Sequence, residues 1–277
     1  MVHESLAQWE SSLTPLAQQF GQRHAALPPV RWVILPEVDS TNRWLLEHTP
    51  NNQMGYSLCI AYRQSAGRGR RGRSWLSQPG WSLTFSLGCW SAAGERVHPA
   101  LPLVMGVAVA RGLQAAGFAG FGLKWPNDIL DLTGAKLGGI LVETQGIGTR
   151  RAVLQVVGVG LNRGGAGALE LDAQVTDLSQ LPATRDLGLM STAALLDSLL
   201  PALLQAWAQV REHGVAAVLQ DYAQWDCLLG RPVRIVDSGQ EGVACGIHPD
   251  TGALQLRDAQ GRLCQVASGD VSLRLQP

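Results

Sequence analysis

Residues 67–80 read Gly67-Arg68-Gly69-Arg70-Arg71-Gly72-Arg73-Ser74-Trp75-Leu76-Ser77-Gln78-Pro79-Gly80. Gly67, Gly69 and Gly72 satisfy the pattern GxGxxG. A dinucleotide-binding fold needs a helix to open directly after those glycines, so that its N-terminus can hold a pyrophosphate. Here a Pro-Gly turn follows, and Leu83–Cys89 then alternates as a strand. No acidic residue stands about twenty positions further on at a suitable strand end. The stretch therefore excludes a Rossmann domain and leaves an arginine–glycine loop between two strands, Leu58–Tyr62 and Leu83–Cys89. Its four arginines in seven residues are forks suited to phosphate or carboxylate. The glycines let backbone approach a ligand and let the loop move. A solvated surface turn, or an RG-type contact to RNA, remains open from the loop alone.

Working outward, Leu6, Trp9, Leu13, Leu16 and Phe20 recur every three or four residues, which predicts a helix over 5–27 ended by Pro28-Pro29. Val30–Leu35 reads as a strand, and Ser40 or Thr41 as the cap of a helix through Arg43-Trp44-Leu45-Leu46. The apolar, Ala- and Gly-rich residues 99–117 predict a buried helix. Phe121–Trp125, Lys136–Glu143 and Ala152–Leu161 predict strands, and 191–225 a helical region with Pro201 near its first turns. Residues 163–190 are expected to be a mobile loop and connector. After Trp225 short strands at Pro232–Val236, Glu241–Ile247, Ala253–Arg257 and Leu263–Ala267 alternate with turn signals. That is a mixed α/β domain to about 225 followed by a small β-barrel-like module.

Composition bounds the function. The chain has 277 residues, 46% hydrophobic and 16% charged, and 22 Lys+Arg balance 22 Asp+Glu. This is a folding chain with a sizeable core, and a general nucleic-acid binder would show a basic excess. No apolar run is read as reaching the 18 or so residues that span a bilayer, and residues 1–19 lack the basic start of a secretory signal. A cytoplasmic protein without membrane attachment is expected. Five scattered cysteines without CxxC pairs predict reduced thiols, and six isolated histidines give no zinc spacing.

Four further segments offer chemistry. Lys124 ends a strand before Trp125-Pro126-Asn127-Asp128, where its flexible cation can reach an oxyanion. Asn127 and Asp128 offer hard oxygens for Mg²⁺, or simply cap the turn. Lys136-Leu137-Gly138-Gly139-Ile140-Leu141-Val142-Glu143 carries a Gly-Gly pair that allows close approach to a ligand, or marks a β-bulge. Gly158-Val159-Gly160-Leu161-Asn162 closes a strand with an amide able to pair with a heterocycle edge, or is an ordinary strand end. Arg, Lys, glycine-rich backbone and one candidate magnesium oxygen, without a Ser/His/Asp set, suit the stabilisation of negative charge in nucleotide-dependent carboxylate or phosphoryl chemistry.

In this order these segments, together with Asp39-Ser40-Thr41-Asn42, Gln64 and Trp75, resemble the biotin–protein ligases (biotin–[acetyl-CoA-carboxylase] ligases) from about residue 30 to the end. The resemblance implies a mixed sheet flanked by helices, a class II synthetase-like α/β (α+β) catalytic domain, and a small SH3-like C-terminal barrel. The expected division is a helical extension over 1–29, the catalytic domain over 30–225 and the SH3-like domain over 226–277. The implied activity forms a carbon–nitrogen bond: ATP and Mg²⁺ activate biotin as biotinyl-5′-AMP, and biotin passes to a lysine of a biotin carboxyl carrier protein.

By the same resemblance Ser40, Thr41, Asn42 and Gln64 would bind the biotin head. Arg68, Gly69 and Arg70 would fold over biotin and its adenylate, and Gly138 and Gly139 would line its ring and tail. Lys124, with Arg68 and Arg70, would serve the reacting carboxylate and phosphate. Trp75, Asn162 and Lys136 would hold the adenylate, and Asp128 would hold Mg²⁺. About thirty residues precede the first matching strand, too few for a winged DNA-binding domain. A monofunctional enzyme without specific DNA binding is therefore expected, with residues 5–27 a packed or homodimer-contact extension. The rival readings are a lipoate–protein ligase, and a non-catalytic RNA-binding module.

Overall fold

A computed structural model describes residues 3–51, 55–91, 95, 97–147, 150–165, 174–184, 190–267 and 273–275. Seven strands form one sheet: β1 (Val30–Val38), β2 (Tyr56–Gln64), β3 (Ser82–Trp90), β4 (Phe121–Lys124), β5 (Asp128–Asp131), β6 (Lys136–Ile147) and β7 (Arg150–Asn162), in the order β1-β2-β3-β7-β6-β5-β4. β1 and β2 are parallel and the remaining pairs antiparallel. The helices are α1 (Leu6–Arg23), α2 (Thr41–His48), α3 (Leu101–Ala116), α4 (Thr192–His213) and α5 (Ala216–Leu219).

Alternation along the central strands sorts the two faces of the sheet. On β7, Val157, Val159 and Leu161 join the main core, as do Leu83, Phe85 and Leu87 of β3. Helices α1, α3 and α4 supply the other half of that core. α3 is apolar nearly all round and buried, as such a helix must be. It touches α4 where a Cβ on Gly112 would lie 2.8 Å from Leu199 Cδ2. α4 is long and apolar enough to cross a membrane by length and composition, yet Leu195, Leu196, Leu199, Leu200, Leu203 and Leu204 are all buried in this core. On the opposite face α2 covers a smaller cluster of Leu45, Cys59, Leu154 and Val156.

Several expectations are corrected. The turn offered as one reading of Asn127 and Asp128 covers residues 125–127 alone: β4 stops at Lys124, one residue short of the expected strand end, and Asp128 opens β5. The helical region 191–225 breaks at Gly214 (φ 79°), after which only α5 and one tight turn at Tyr222–Gln224 follow. Neither Ser40 nor Thr41 caps α2 through its side chain; the Thr41 N–H donates instead to Gln64 Oε1 at 2.8 Å. Of the connector expected over 163–190, residues 166–173 and 185–189 lie outside the described residues. The rest is tied in: Lys136 bridges Val175, and Asp177 caps the turn Leu178–Gln180.

The C-terminal module is a second sheet of β8 (Pro232–Ile235), β9 (Glu241–Ile247), β10 (Leu254–Arg257), β11 (Leu263–Val266) and β12 (Leu273–Leu275), ordered β11-β10-β9-β8-β12. It is docked rather than tethered. The buried Trp125 indole N–H donates to Gly252 O at 2.8 Å, and Leu123 exchanges backbone hydrogen bonds with Trp225 and Cys227. Val233, Ile235, Ala244, Leu254 and Leu256 belong to the same continuous core as α1 and the sheet.

Candidate functional site

The face of the sheet that carries α2 also carries the site, and glycine makes the room. On β7, Gly158 and Gly160 point opposite to Val157 and Val159. A Cβ on Gly158 would collide with Asn42 Oδ1, and one on Gly160 would stand 2.5 Å from Trp75 Cε2. Alternate glycines on one strand thus seat the start of α2 and the Trp75 indole directly on backbone. The cleft between them holds about 140 Å³.

Its floor is a polar network. Thr41 Oγ1 lies 3.0 Å from Gln64 Oε1, and Ser86 Oγ lies 2.7 Å from Thr41 Oγ1 and 2.6 Å from Asn42 Oδ1. Asn42 Nδ2 donates to Glu143 Oε2 at 2.9 Å. Ser40, Thr41, Asn42 and Ser86 are all buried, so this network fixes the α2 N-terminus against β2, β3 and β6.

The arginine–glycine loop forms one wall. Gly69 N–H donates to Arg73 O, Trp75 N–H donates to Gly67 O, and a tight turn runs through Arg70–Gly72 with Arg71 left-handed (φ 58°). No helix follows, so the exclusion of a dinucleotide fold stands. Arg68 Nη1 pairs with Glu143 Oε1 at 3.1 Å, and Arg70 Nη1 donates to Asn127 Oδ1 at 3.2 Å. Arg71 reaches outward to Asp237 in the C-terminal module, 2.7 Å from Nη2 to Oδ2.

The opposite wall comes from β5 and β6. Lys136 Nζ pairs with Asp128 Oδ1 at 2.6 Å, directly above Gly139. Among the lining residues Arg68, Arg70, Arg73 and Lys136 face a single carboxylate, Asp128. A neutral chain has therefore concentrated positive charge in one cleft. Among the described residues no three His, Cys, Asp or Glu side chains cluster as metal ligands. With Asp128 already held by Lys136, the donor set does not make a protein-built Mg²⁺ site.

The structure brings together Ser40, Thr41, Asn42, Gln64, Arg68, Gly69, Arg70, Trp75, Asp128, Lys136 and Gly139. Three expected residues stand outside the lining. Lys124 sits on the flank, in a smaller recess beside Asn127 and Asp128. Burial pulls its ammonium below the ordinary lysine value, Asp128 opposes this, and Lys136 pulls it down further. Gly138 faces its neighbouring strand, where a Cβ would lie 2.5 Å from Gly160 O. Asn162 straps the chain, its amide donating to Lys136 O and Thr176 O at 3.2 and 3.0 Å. Arg73, read in the sequence only as one of four loop arginines, lines the cleft, and sequence reading overlooked Ser86 and Glu143 as parts of this site. Ser86 and Glu143 were legible only through alternation, as polar residues on the non-core face of strands.

Residues 34–162 match the family model for the biotin/lipoate A/B protein ligase family. The bifunctional ligase/repressor BirA of Escherichia coli is 35% identical over 243 residues, covering 87% of this chain and 73% of that protein. The biotin--[acetyl-CoA-carboxylase] ligase of Paracoccus denitrificans is 33% identical over 83% of this chain and 95% of its own length. The solved biotin protein ligase of Aquifex aeolicus in complex with biotin and ATP aligns with a TM-score of 0.74 at 27% identity, covering 89% of this chain and 99% of that one.

Proposed function

From the premise that the chain belongs to the biotin protein ligases and carries out ATP-dependent biotinylation, forming a carbon–nitrogen bond, we propose how its cleft performs that reaction. The observation that carries the reading is the cluster of four cations around a polar, glycine-floored cleft. The biotin head lies against Ser40, Thr41, Asn42 and Gln64. A ureido group offers two N–H donors and one carbonyl acceptor, and hydroxyl and amide groups match both kinds. The ring and tail run over Gly139, with Gly138 shaping the strand beneath.

The tail carboxylate then attacks the α-phosphorus of ATP. A carbon-borne oxygen joins phosphorus, the bond to the β-phosphate oxygen breaks, and pyrophosphate leaves. Two anions meet in this step, and Arg68, Arg70 and Lys136 offset their repulsion while holding them in line. Lys124, on the flank, adds to the same field. We assign the nucleotide base to Trp75, whose buried indole N–H has no hydrogen-bond partner among the described residues. Asn162 orders the end of β7 beside it. Any Mg²⁺ would come with the ATP substrate and would offset part of its charge, with Asp128 and Asn127 the nearest hard oxygens of the chain.

Biotinyl-5′-adenylate hydrolyses if water reaches it, so the loop over 67–75 acts as a cover. A neutral carrier lysine attacks the mixed anhydride, the amide forms and AMP leaves. We place the chain in the cytoplasm, supported by its five unpaired thiols. We further propose that it does not read DNA: the Trp9, Leu13, Leu16 and Phe20 stripe of α1 is consumed by the core. Fluorescence anisotropy should show no tight, sequence-dependent duplex binding, with or without biotin and ATP.

The deciding experiment incubates the chain with ATP, Mg²⁺, biotin and a carrier domain, with lipoate as control, and probes for covalent label. Biotin-dependent ATP–pyrophosphate exchange with no lipoate response is expected; the reverse preference would overturn the reading. Arg70→Gly should weaken retention of the adenylate more than first binding of biotin, because the loop's contacts to an anion develop late. Free adenylate should then leak and label unrelated proteins. A variant as selective as the parent removes the cover from the mechanism.

A further inference from the structure

Glu143 contributes no atom to the cleft lining, yet both of its carboxylate oxygens are committed to residues that do. Oε1 pairs with Arg68 Nη1 at 3.1 Å and Oε2 accepts from Asn42 Nδ2 at 2.9 Å. Asn42 belongs to the buried network at the start of α2, and Arg68 to the arginine–glycine loop. These two walls are 26 residues apart in sequence, and Glu143 joins them across β6. Its side chain is only one-fifth exposed, whereas Arg68 is more than half exposed. The carboxylate is therefore the fixed member of the pair and the arginine the member that is placed.

We propose that Glu143 is a positioning residue: it aims Arg68 over the substrate while locking the Asn42 amide that orders the biotin pocket. The inference rests on the biotin-ligase reading above. A carboxylate suits the task because it accepts two hydrogen bonds at once in one plane, and its charge favours the guanidinium in a single arrangement. Asn42 cannot take over, since its oxygen is engaged by Ser86. An alternative role is a placeholder, in which Glu143 occupies Arg68 until the adenylate displaces it. The two roles predict opposite signs.

The test compares wild type, Glu143→Gln, Arg68→Ala and the double variant. The Gln side chain keeps an acceptor for Asn42 but loses the ion pair. A positioning role predicts an apparent KM for biotin raised about fivefold, the size of one partly exposed charge contact, and faster release of free biotinyl-adenylate. The unfolding midpoint stays at the wild-type value. Both effects must vanish in the Arg68→Ala background, because Glu143 acts through that arginine. Slower release in Glu143→Gln overturns the proposal in favour of the placeholder. Unchanged KM and release, or effects that persist without Arg68, overturn it outright. A wild-type chain without biotin-dependent exchange would instead sink the functional reading itself.

Discussion

Lys136→Ala is expected to lower biotin-dependent pyrophosphate exchange by about 10²–10³-fold, the loss that follows removal of one preorganised charge partner from a developing anion. Lys136 is the lysine that lines the cleft, held at 2.6 Å by Asp128 above the Gly139 backbone. The ion pair aims it without neutralising the cleft, because three arginines remain on the other side. The family resemblance assigns the catalytic role to Lys124 and gives Lys136 only to the adenylate, yet Lys124 lines the flanking recess and not the cleft. Lys124→Ala should therefore cost less than Lys136→Ala in the same assay, with circular dichroism showing both folds intact. A larger loss in Lys124→Ala would move the reacting centre to the other side of Asp128. Exchange within threefold of wild type in Lys136→Ala would take that lysine out of the chemistry.

The contrast between the two lysines shows where sequence reading works. The order of elements was legible because apolar period distinguishes strand from helix: Trp9-Leu13-Leu16-Phe20 packs one face of α1, and Leu83, Phe85 and Leu87 of the alternating β3 enter the main core, although both faces of β2 and β3 are buried. A dinucleotide fold is excluded because no α-helix opens after the glycines of residues 67–72. The glycines of β7 stand near a strand end, but their reason lies in residues far away in the chain, Asn42 and Trp75. The pairing of Arg68 with Glu143 and the outward turn of Arg71 to Asp237 are likewise long-range. Motif spacing shows that Lys124 ends a strand; that Lys136 is the one lining the cleft follows from the pairing of β6 with β5, whose register shifts between Ile129 and Leu130. Asn162 illustrates the same limit, since an amide suited to a base edge is spent on two backbone carbonyls.

Glu4→Ala should destabilise the protein by about 3–5 kcal/mol, the cost of leaving a buried charge without its partner. Arg163, immediately after β7, is almost fully buried and pairs with Glu4 at 3.1 Å. Burial holds its guanidinium below the usual arginine value and Glu4 opposes that shift. The pair is fully embedded. Glu4 Oε2 accepts from Thr192 Oγ1 at 2.6 Å, Arg163 donates to Met190 O at 2.8 Å and to Gly80 O, and the Tyr62 hydroxyl donates to Glu4 O at 2.9 Å. One ion pair thus ties the segment before α1 to the end of β7, the start of α4 and the entry to β3. The described residues before β1 are thus packed against the sheet and α4. Because Glu4 precedes the first helix, part of the loss can appear as peeling of α1 instead of global unfolding. Urea denaturation and amide hydrogen exchange together separate these routes. A shifted midpoint marks the first; exchange rising in α1 ahead of the sheet marks the second. Replacing both partners by apolar residues, Glu4→Leu with Arg163→Met, should recover much of the loss, since the penalty comes from the orphaned charge. A Glu4→Ala protein with an unchanged midpoint and unchanged exchange in α1 would show that the pair holds nothing together.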